Sequence, residues 1–333
     1  MSVEVFSKEI VKPSSPTPDD LHHYQLSFSD QMSPPVYDPM SLFYSSDGDT
    51  KFNIDDISDG LKKYLSEVLT LYYPLAGCIK DNTSIDCNDE GVPFLEARVD
   101  CQLFDVIQNP IPRELNKLVP FELDAHTDIA FGVQLNVFEC GGIAIIACIS
   151  HKVADALSYF VFVRCWAAIA CGDKDVVLKY ADQEGIEKQK PPSRIEALSA
   201  FIWNRFVAAT KDESGSEKLY SVHHAVNLRP RFEPPQPESS FGNLFSVAIT
   251  ISKLNRAGKR IIMAWCVRFP LYEADFGWGK PTWFGSPALT FKNLVFFVDT
   301  PLGDGIEAYV SLKKEDMAKF ESDEEFHTFV SQT

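Results

Sequence analysis

The stretch "FGVQLNVFECGGIAIIACIS", residues 131–150, restricts the fold of this chain more than any other. Two apolar runs flank Gly141 and Gly142, which reads as two strands joined by a tight turn. The second run, Ile143 to Ile149, has no polar position at all, so it must be buried on both faces as a central strand. The following "ADALSYFVFVRCWAAIAC" is apolar on most sides and long enough for a buried helix. A central strand feeding a buried helix requires a sheet with helical cover.

The remaining elements are consistent with that frame. In "IDDISDGLKKYLSEVLTLYYPLAG", Ile57, Leu61, Leu65, Val68 and Leu69 recur at helical spacing, after Asp55 and Asp56 and before Pro74. "VEVFSKEIV" alternates as a strand before a proline break, and "TSIDCNDEGVPFLEARVD" reads as strand, turn and strand. Beyond the charged "GDKDVVLKYADQEGIEKQKPPS", a helix "RIEALSAFIWNRFVAAT" is expected, then strands at "YSVHHAVNL", "LFSVAITIS", "RIIMAWCVRFP" and "NLVFFVDT", and a hairpin through "GDGIEAYVSL". Strands and helices mix without βαβ alternation, and neither GxGxxG nor a Walker motif is present. Mixed α/β sheets are therefore expected rather than a nucleotide fold. A length of 333 residues suggests two domains, an N-terminal one at 1–175 and a C-terminal one at 194–333, joined by a linker at 176–193.

A formal net charge of −16 argues against a phosphate-backbone partner. Eight cysteines without a CxxC pair read as buried thiols in a reducing compartment. The N-terminus lacks a basic segment followed by an apolar core, and no stretch has the length to cross a bilayer, so a cytoplasmic protein without a membrane partner is expected.

Chemistry concentrates in two places. His151 stands at the carboxyl end of the buried run, and if the next residues are helical, Asp155 lies one turn on and faces roughly the same way. The pair reads in three ways: a helix start without chemistry, two metal ligands, or a catalytic base with its support. The spacing alone is weak, and the metal reading lacks a third ligand nearby. An imidazole titrates near neutrality, which suits proton abstraction from a hydroxyl. The second place is "YEADFGWGKP", where Gly277 and Gly279 flank Trp278 in a tight loop. Its DFG triplet is not that of a protein kinase, since no Gly-rich phosphate loop, V-A-I-K lysine or H-R-D loop precedes it.

Taken together, "SHKVAD" and "DFGWG" resemble the two signatures of the BAHD family of plant acyl-CoA-dependent acyltransferases. Family-like stretches lie in order between and around them: "YPLAG", "DCNDEGVPFLEARV", "NVFECGGIAI" and "AVNLRPR". The texture is nearest to the alkaloid-acetylating branch. The resemblance implies two chloramphenicol-acetyltransferase-like domains with an active-site channel at their interface. It implies acyl transfer, of acetyl in that branch, from acyl-CoA as co-substrate to a small-molecule alcohol, by a monomer, with no bound cofactor and no metal. His151 matches the general base. Asp155 matches a residue that supports it by pairing with an arginine, here Arg229. Asp275 is sometimes counted as an active residue of the family, but a structural role is favoured, with Gly277 and Gly279 setting the loop and Trp278 packing it. No residue is assigned to coenzyme A, whose contacts are expected largely in the second domain.

Several departures stand out. The chain is shorter than typical members, with material missing between Gly172 and "RIEALSAFIW" and between "VAITISK" and "MAWCVRFPLYEADFGWG", where "LNRAGKR" bridges directly. Loss of helices at the second place is expected to expose apolar surface on the second sheet. Met263-Ala264-Trp265 replaces a family stretch that brings a hydroxyl to the developing oxyanion, one extra residue precedes Arg268, and Cys78 replaces the usual arginine after "YPLAG". The alternative to an active enzyme is thus a catalytically impaired, shortened relative.

Overall fold

A computed structural model describes residues 1–46, 52–125, 127–173, 194–210, 219–251, 258–266 and 271–330. The strands are β1 (Val3–Val11), β2 (His23–Gln25), β3 (Tyr37–Tyr44), β4 (Cys78–Lys80), β5 (Ser84–Asp86), β6 (Val92–Val99) and β7 (Phe131–Phe138). They continue with β8 (Ile143–Ser150), β9 (Leu219–Asn227), β10 (Phe245–Ile251), β11 (Gly258–Cys266), β12 (Trp283–Gly285), β13 (Leu294–Asp299) and β14 (Ile306–Ser311). The α-helices are α1 (Phe28–Met32), α2 (Ile54–Leu71), α3 (Leu103–Gln108), α4 (Pro112–Leu115), α5 (Ala156–Ala170), α6 (Arg194–Thr210), α7 (Lys314–Glu321) and α8 (Glu324–Val330). Mixed α/β architecture follows, as the sequence leads one to expect.

The chain divides into two compact units: Met1–Gly185 with Phe232–Leu244 and Pro270–Thr290, and Ile186–Arg231 with Phe245–Phe269 and Phe291–Thr333. This differs from the contiguous division expected on either side of 176–193. The span carrying DFGWG belongs to the first unit, because β12 pairs antiparallel with β3 and becomes an edge strand of its sheet. Residues 232–244 also belong there; Asn243 N–H donates to Asp30 Oδ1 at 2.9 Å. The expected linker at 176–193 lies outside the described residues.

In the first unit the sheet order is β1-β6-β7-β8-β3-β12, with β6 and β7 parallel and the other neighbours antiparallel. β8 is buried at every position, as its unbroken apolar run requires. One face of the sheet sends Tyr37, Phe43, Phe138, Ala144, Ile146 and Cys148 into a core closed by Leu103, Leu115 and Leu118. On the other face, Phe131 meets Tyr159 and Phe162 of α5 at ring-centroid distances of 6.2 and 5.0 Å. Beneath α5 runs α2, which buries the periodic set Ile57, Leu61, Leu65, Val68 and Leu69 and accepts a hydrogen bond from Trp166 Nε1–H at Leu61 O. A small sheet, β2-β5-β4, completes the unit.

The second unit holds a five-stranded sheet in the order β10-β9-β11-β13-β14, parallel in its centre and antiparallel at both edges. Its core gathers Ile202 and Phe206 of α6 with Val222, Ile261, Met263, Val295 and Phe297. The edge strand β10 leaves Val247 and Ile249 43% and 56% exposed.

Seven cysteines fall among the described side chains, all free thiols. They are not uniformly buried. Cys140 lies in the β7–β8 turn and Cys171 caps the carboxyl end of α5, and both are exposed because element ends face solvent. Among the described residues no helix is long and apolar enough to cross a membrane.

Candidate active site

His151 follows the last residue of β8, and its N–H donates to Val36 O at 2.9 Å, beside the start of β3. Two strands of a rigid sheet thus fix its backbone, while 20% of its side chain stays accessible. The ring is oriented by Asn243. The Asn243 amide donates its two side-chain hydrogens to Asp30 Oδ1 at 2.9 Å and His151 O at 2.7 Å. Both donors are thereby used, so the atom 3.1 Å from His151 Nδ1 is the amide oxygen, which can only accept. Nδ1 therefore carries the hydrogen, and in the neutral ring the lone pair resides on Nε2. Asp30 is buried and held in a capping box with Ser27 at the start of α1, so the relay Asp30–Asn243–His151 is anchored at its far end.

Nε2 looks toward Asp38, whose Oδ2 lies 4.0 Å away. Asp38 sits on β3 opposite Ile149 of β8, which in turn faces Phe131 of β7, so all three share the face covered by α5. The pKa of Asp38 is raised, because desolvation by surrounding protein outweighs the opposing pull of the imidazole. Yet 44% of its side chain is accessible. The carboxyl is thus packed against protein on one side and open to solvent on the other.

Asp155 is not one helical turn beyond His151. Residues 151–153 form a turn, and α5 begins only at Ala156 with Asp155 as its N-cap. Asp155 Oδ1 accepts from Ser158 N–H at 2.9 Å, satisfying a first-turn donor, and Oδ2 accepts from Leu244 N–H at 3.0 Å. The residue next to Leu244 is Asn243. Asp155 thus fixes the backbone that presents the amide to His151. Arg229 belongs to the second unit, where it is 1% exposed and its N–H donates to Asn227 Oδ1 at 3.0 Å.

The DFGWG loop lies elsewhere. Cys171, the C-cap of α5, donates Sγ–H to Asp275 O at 3.2 Å, whereas His151 precedes the opposite end of that helix. The 15-residue helix that separates these two contacts is about 22 Å long. Asp275 Oδ1 accepts the N–H groups of Gly277 at 2.8 Å and Gly279 at 2.9 Å, closing its own loop. Gly277 and Gly279 have φ of +103° and +112°, which explains the two glycines. Trp278 stacks on Phe276 at 5.6 Å, Phe276 packs edge-on against Trp166 at 4.9 Å, and Tyr44 O–H donates to Ala274 O at 2.7 Å. Among the described residues the hydrogen bonds of the Asp275 carboxylate run to its own loop.

Sequence reasoning missed Asn243, Asp30 and Asp38. Only Asp30 carries a local signal, the Ser27-x-x-Asp30 spacing of a capping box. Asn243 is 92 residues from His151, and no periodicity connects them. Arg268 lies outside the described residues, while Met263 is a core residue of the second unit. Cys78, at the start of β4, donates Sγ–H to Glu90 Oε2 at 2.9 Å, and burial together with that carboxylate pushes its pKa up to about 11.

Comparison with known proteins agrees with this architecture. The sequence model of the Transferase family matches residues 1–186, 178–257 and 245–327. The pieces meet at 178–186 and 245–257, where material is missing by the sequence reading. Stemmadenine O-acetyltransferase of Catharanthus roseus is 32% identical over 407 residues, covering 96% of each chain. That alignment is longer than the 333 residues present here, so the relative carries internal positions that this chain lacks. A limonoid 21-O-acetyltransferase of Melia azedarach is 33% identical, covering 97% of each chain. The crystal structure of vinorine synthase superimposes with a TM-score of 0.84 at 30% identity, covering 96% of each chain. By these matches over nearly its whole length, the chain belongs to the Transferase family, the BAHD acyl-CoA-dependent acyltransferases.

Proposed function

We propose that this protein transfers an acyl group, acetyl by analogy with its relatives, from acyl-CoA to a hydroxyl of a plant specialised metabolite, with His151 as general base. The observation that supports this most directly is the tautomer lock, in which Asn243 accepts from Nδ1 and leaves the lone pair on Nε2. In this reaction the acceptor hydroxyl gives its proton to Nε2 as its oxygen attacks the thioester carbonyl. The tetrahedral intermediate collapses with cleavage of the carbon–sulfur bond, and the departing thiolate recovers the proton from the imidazolium. No covalent acyl-enzyme is needed.

Asn243, Asp30 and Asp155 are positioning residues in this scheme. Arg229, Asp275, Gly277, Trp278 and Gly279 are structural support. A second reading, an impaired relative, is favoured by the internal positions absent from this chain and by Met263-Ala264 at the place of a family hydroxyl. Free-thiol release by the purified 333-residue chain, given acetyl-CoA and a panel of alcohols, separates the two. Turnover that drops about 10²–10⁴-fold in His151→Ala supports the base. Absence of turnover with any pair, or an undiminished His151→Ala rate, rejects it.

A further inference from the structure

Beside the His151 ring stands a carboxylate that proton transfer does not use. Asp38 Oδ2 is 4.0 Å from Nε2, too far for a hydrogen bond between them. Among the described residues its carboxylate accepts no hydrogen bond; the imidazole lies nearest, and its other titratable neighbours, the Tyr159 hydroxyl and the Cys148 thiol, are held protonated by burial and offer no positive charge. Its companions on that face of the sheet are apolar and aromatic: Ile149, Met40 and Phe131. A carboxylate without a counter-charge in such surroundings is unfavourable, as its raised pKa reflects. Packing of the unit would be served better by an apolar residue, so the acid needs another explanation, and its accessibility supplies one.

We propose that Asp38 recognises the acceptor and selects an alcohol that carries a protonated amine close to the hydroxyl to be acylated. The inference rests on His151 being the base. With the hydroxyl about 2.8 Å from Nε2 and the ammonium about 2.8 Å from Oδ2, the 4.0 Å between those protein atoms accommodates an oxygen and a nitrogen separated by a few ångströms, as in a vicinal amino alcohol. The ammonium N–H donates to the carboxylate and supplies the missing counter-charge. A net charge of −16 on the chain favours the approach of a cation. Family membership does not choose between basic and neutral acceptors, since relatives at 32% and 33% identity are a stemmadenine and a limonoid O-acetyltransferase. Asp38 makes that choice.

The test uses two alcohols of nearly equal shape, trans-2-(dimethylamino)cyclohexanol and trans-2-isopropylcyclohexanol, titrated calorimetrically into the full chain at pH 7.5. The amine is expected to bind about ten-fold or more tighter than its carbon counterpart, and Asp38→Asn to bring the two within about two-fold. Asp38→Ser provides a second charge-free variant, and circular dichroism establishes that each is folded. Equal affinity for both alcohols in the unaltered protein, binding of neither, or a preference that survives in both variants overturns the proposal. Thiol release from acetyl-CoA is followed alongside. An amine preference without thiol release leaves the inference standing and removes the acyl-transfer reading, whereas release at equal kcat/KM for both alcohols does the reverse.

Discussion

Replacing Asn243 by leucine tests the tautomer lock directly, because the two side chains have similar volume and differ in polarity. Three hydrogen bonds disappear: those to Asp30 Oδ1, to His151 O and from His151 Nδ1–H. Asp30 keeps the backbone N–H of residue 243 as a donor. A buried polar group left without its partner costs about 1–3 kcal/mol, so a loss of roughly 2–5 kcal/mol in stability is expected, within the 5–15 kcal/mol typical of a folded protein. For catalysis the decisive loss is the bond at Nδ1. A net contribution of about 0.5–1.5 kcal/mol no longer favours the tautomer with its lone pair on Nε2, which alone amounts to roughly 2–13-fold. Loss of ring orientation adds to this, so kcat should fall about 10–100-fold with little change in KM for acyl-CoA. Thiol release gives the kinetics, and ¹⁵N spectra of labelled histidine report which ring nitrogen is protonated. A leucine variant that is less stable yet keeps kcat within about two-fold of wild type, with Nδ1 still protonated, would refute the reasoning.

Asp155→Ala removes the α5 cap and the acceptor for Leu244 N–H, at about 1 kcal/mol for the cap and 1–3 kcal/mol for the orphaned donor. Chemical denaturation should show a loss near the sum, and Asp155→Asn should recover most of the cap. Asp275→Ala removes the acceptor shared by two loop N–H groups; about 1–2 kcal/mol of stability should go, while kcat stays within a few-fold of wild type. A collapse of kcat without destabilisation would return Asp275 to the chemistry. The Asp38 pKa is raised in the folded protein, chiefly by desolvation, so its favourable contribution is present below the unfolded value and disappears as pH rises through the folded one. Asp38→Asn should therefore unfold at a higher temperature than wild type at neutral pH, with the difference vanishing below about pH 4.

Much of the first unit was legible because its signals are local. The unbroken apolar run of Ile143 to Ile149 permits only a doubly buried strand, and the 3.6-residue spacing from Ile57 to Leu69 permits only an amphipathic helix. The glycines on either side of Trp278 announced positive φ. His151–Asp155 was legible as a pair but not as a geometry. The spacing suggests one helical turn, while an aspartate directly before a helix competes for the N-cap, and capping prevailed. The division into units was misplaced for a related reason. A sequence is read along the chain, whereas the three-residue strand β12 is recognised only through its partner β3.

Family, element types and His151 as the candidate base were readable in the order of residues, since these depend on residue kind, periodicity and short spacings. Which nitrogen of the His151 ring holds the lone pair, and which groups surround it, came from folding alone. Asn243, 92 residues from His151, and Asp38, on a strand that pairs with β8 through a distant part of the chain, acquire their roles from sheet pairing and chain return. Hydrogen bonds of this kind act over about 3 Å in space at any separation in sequence, so the order of residues carries no trace of them.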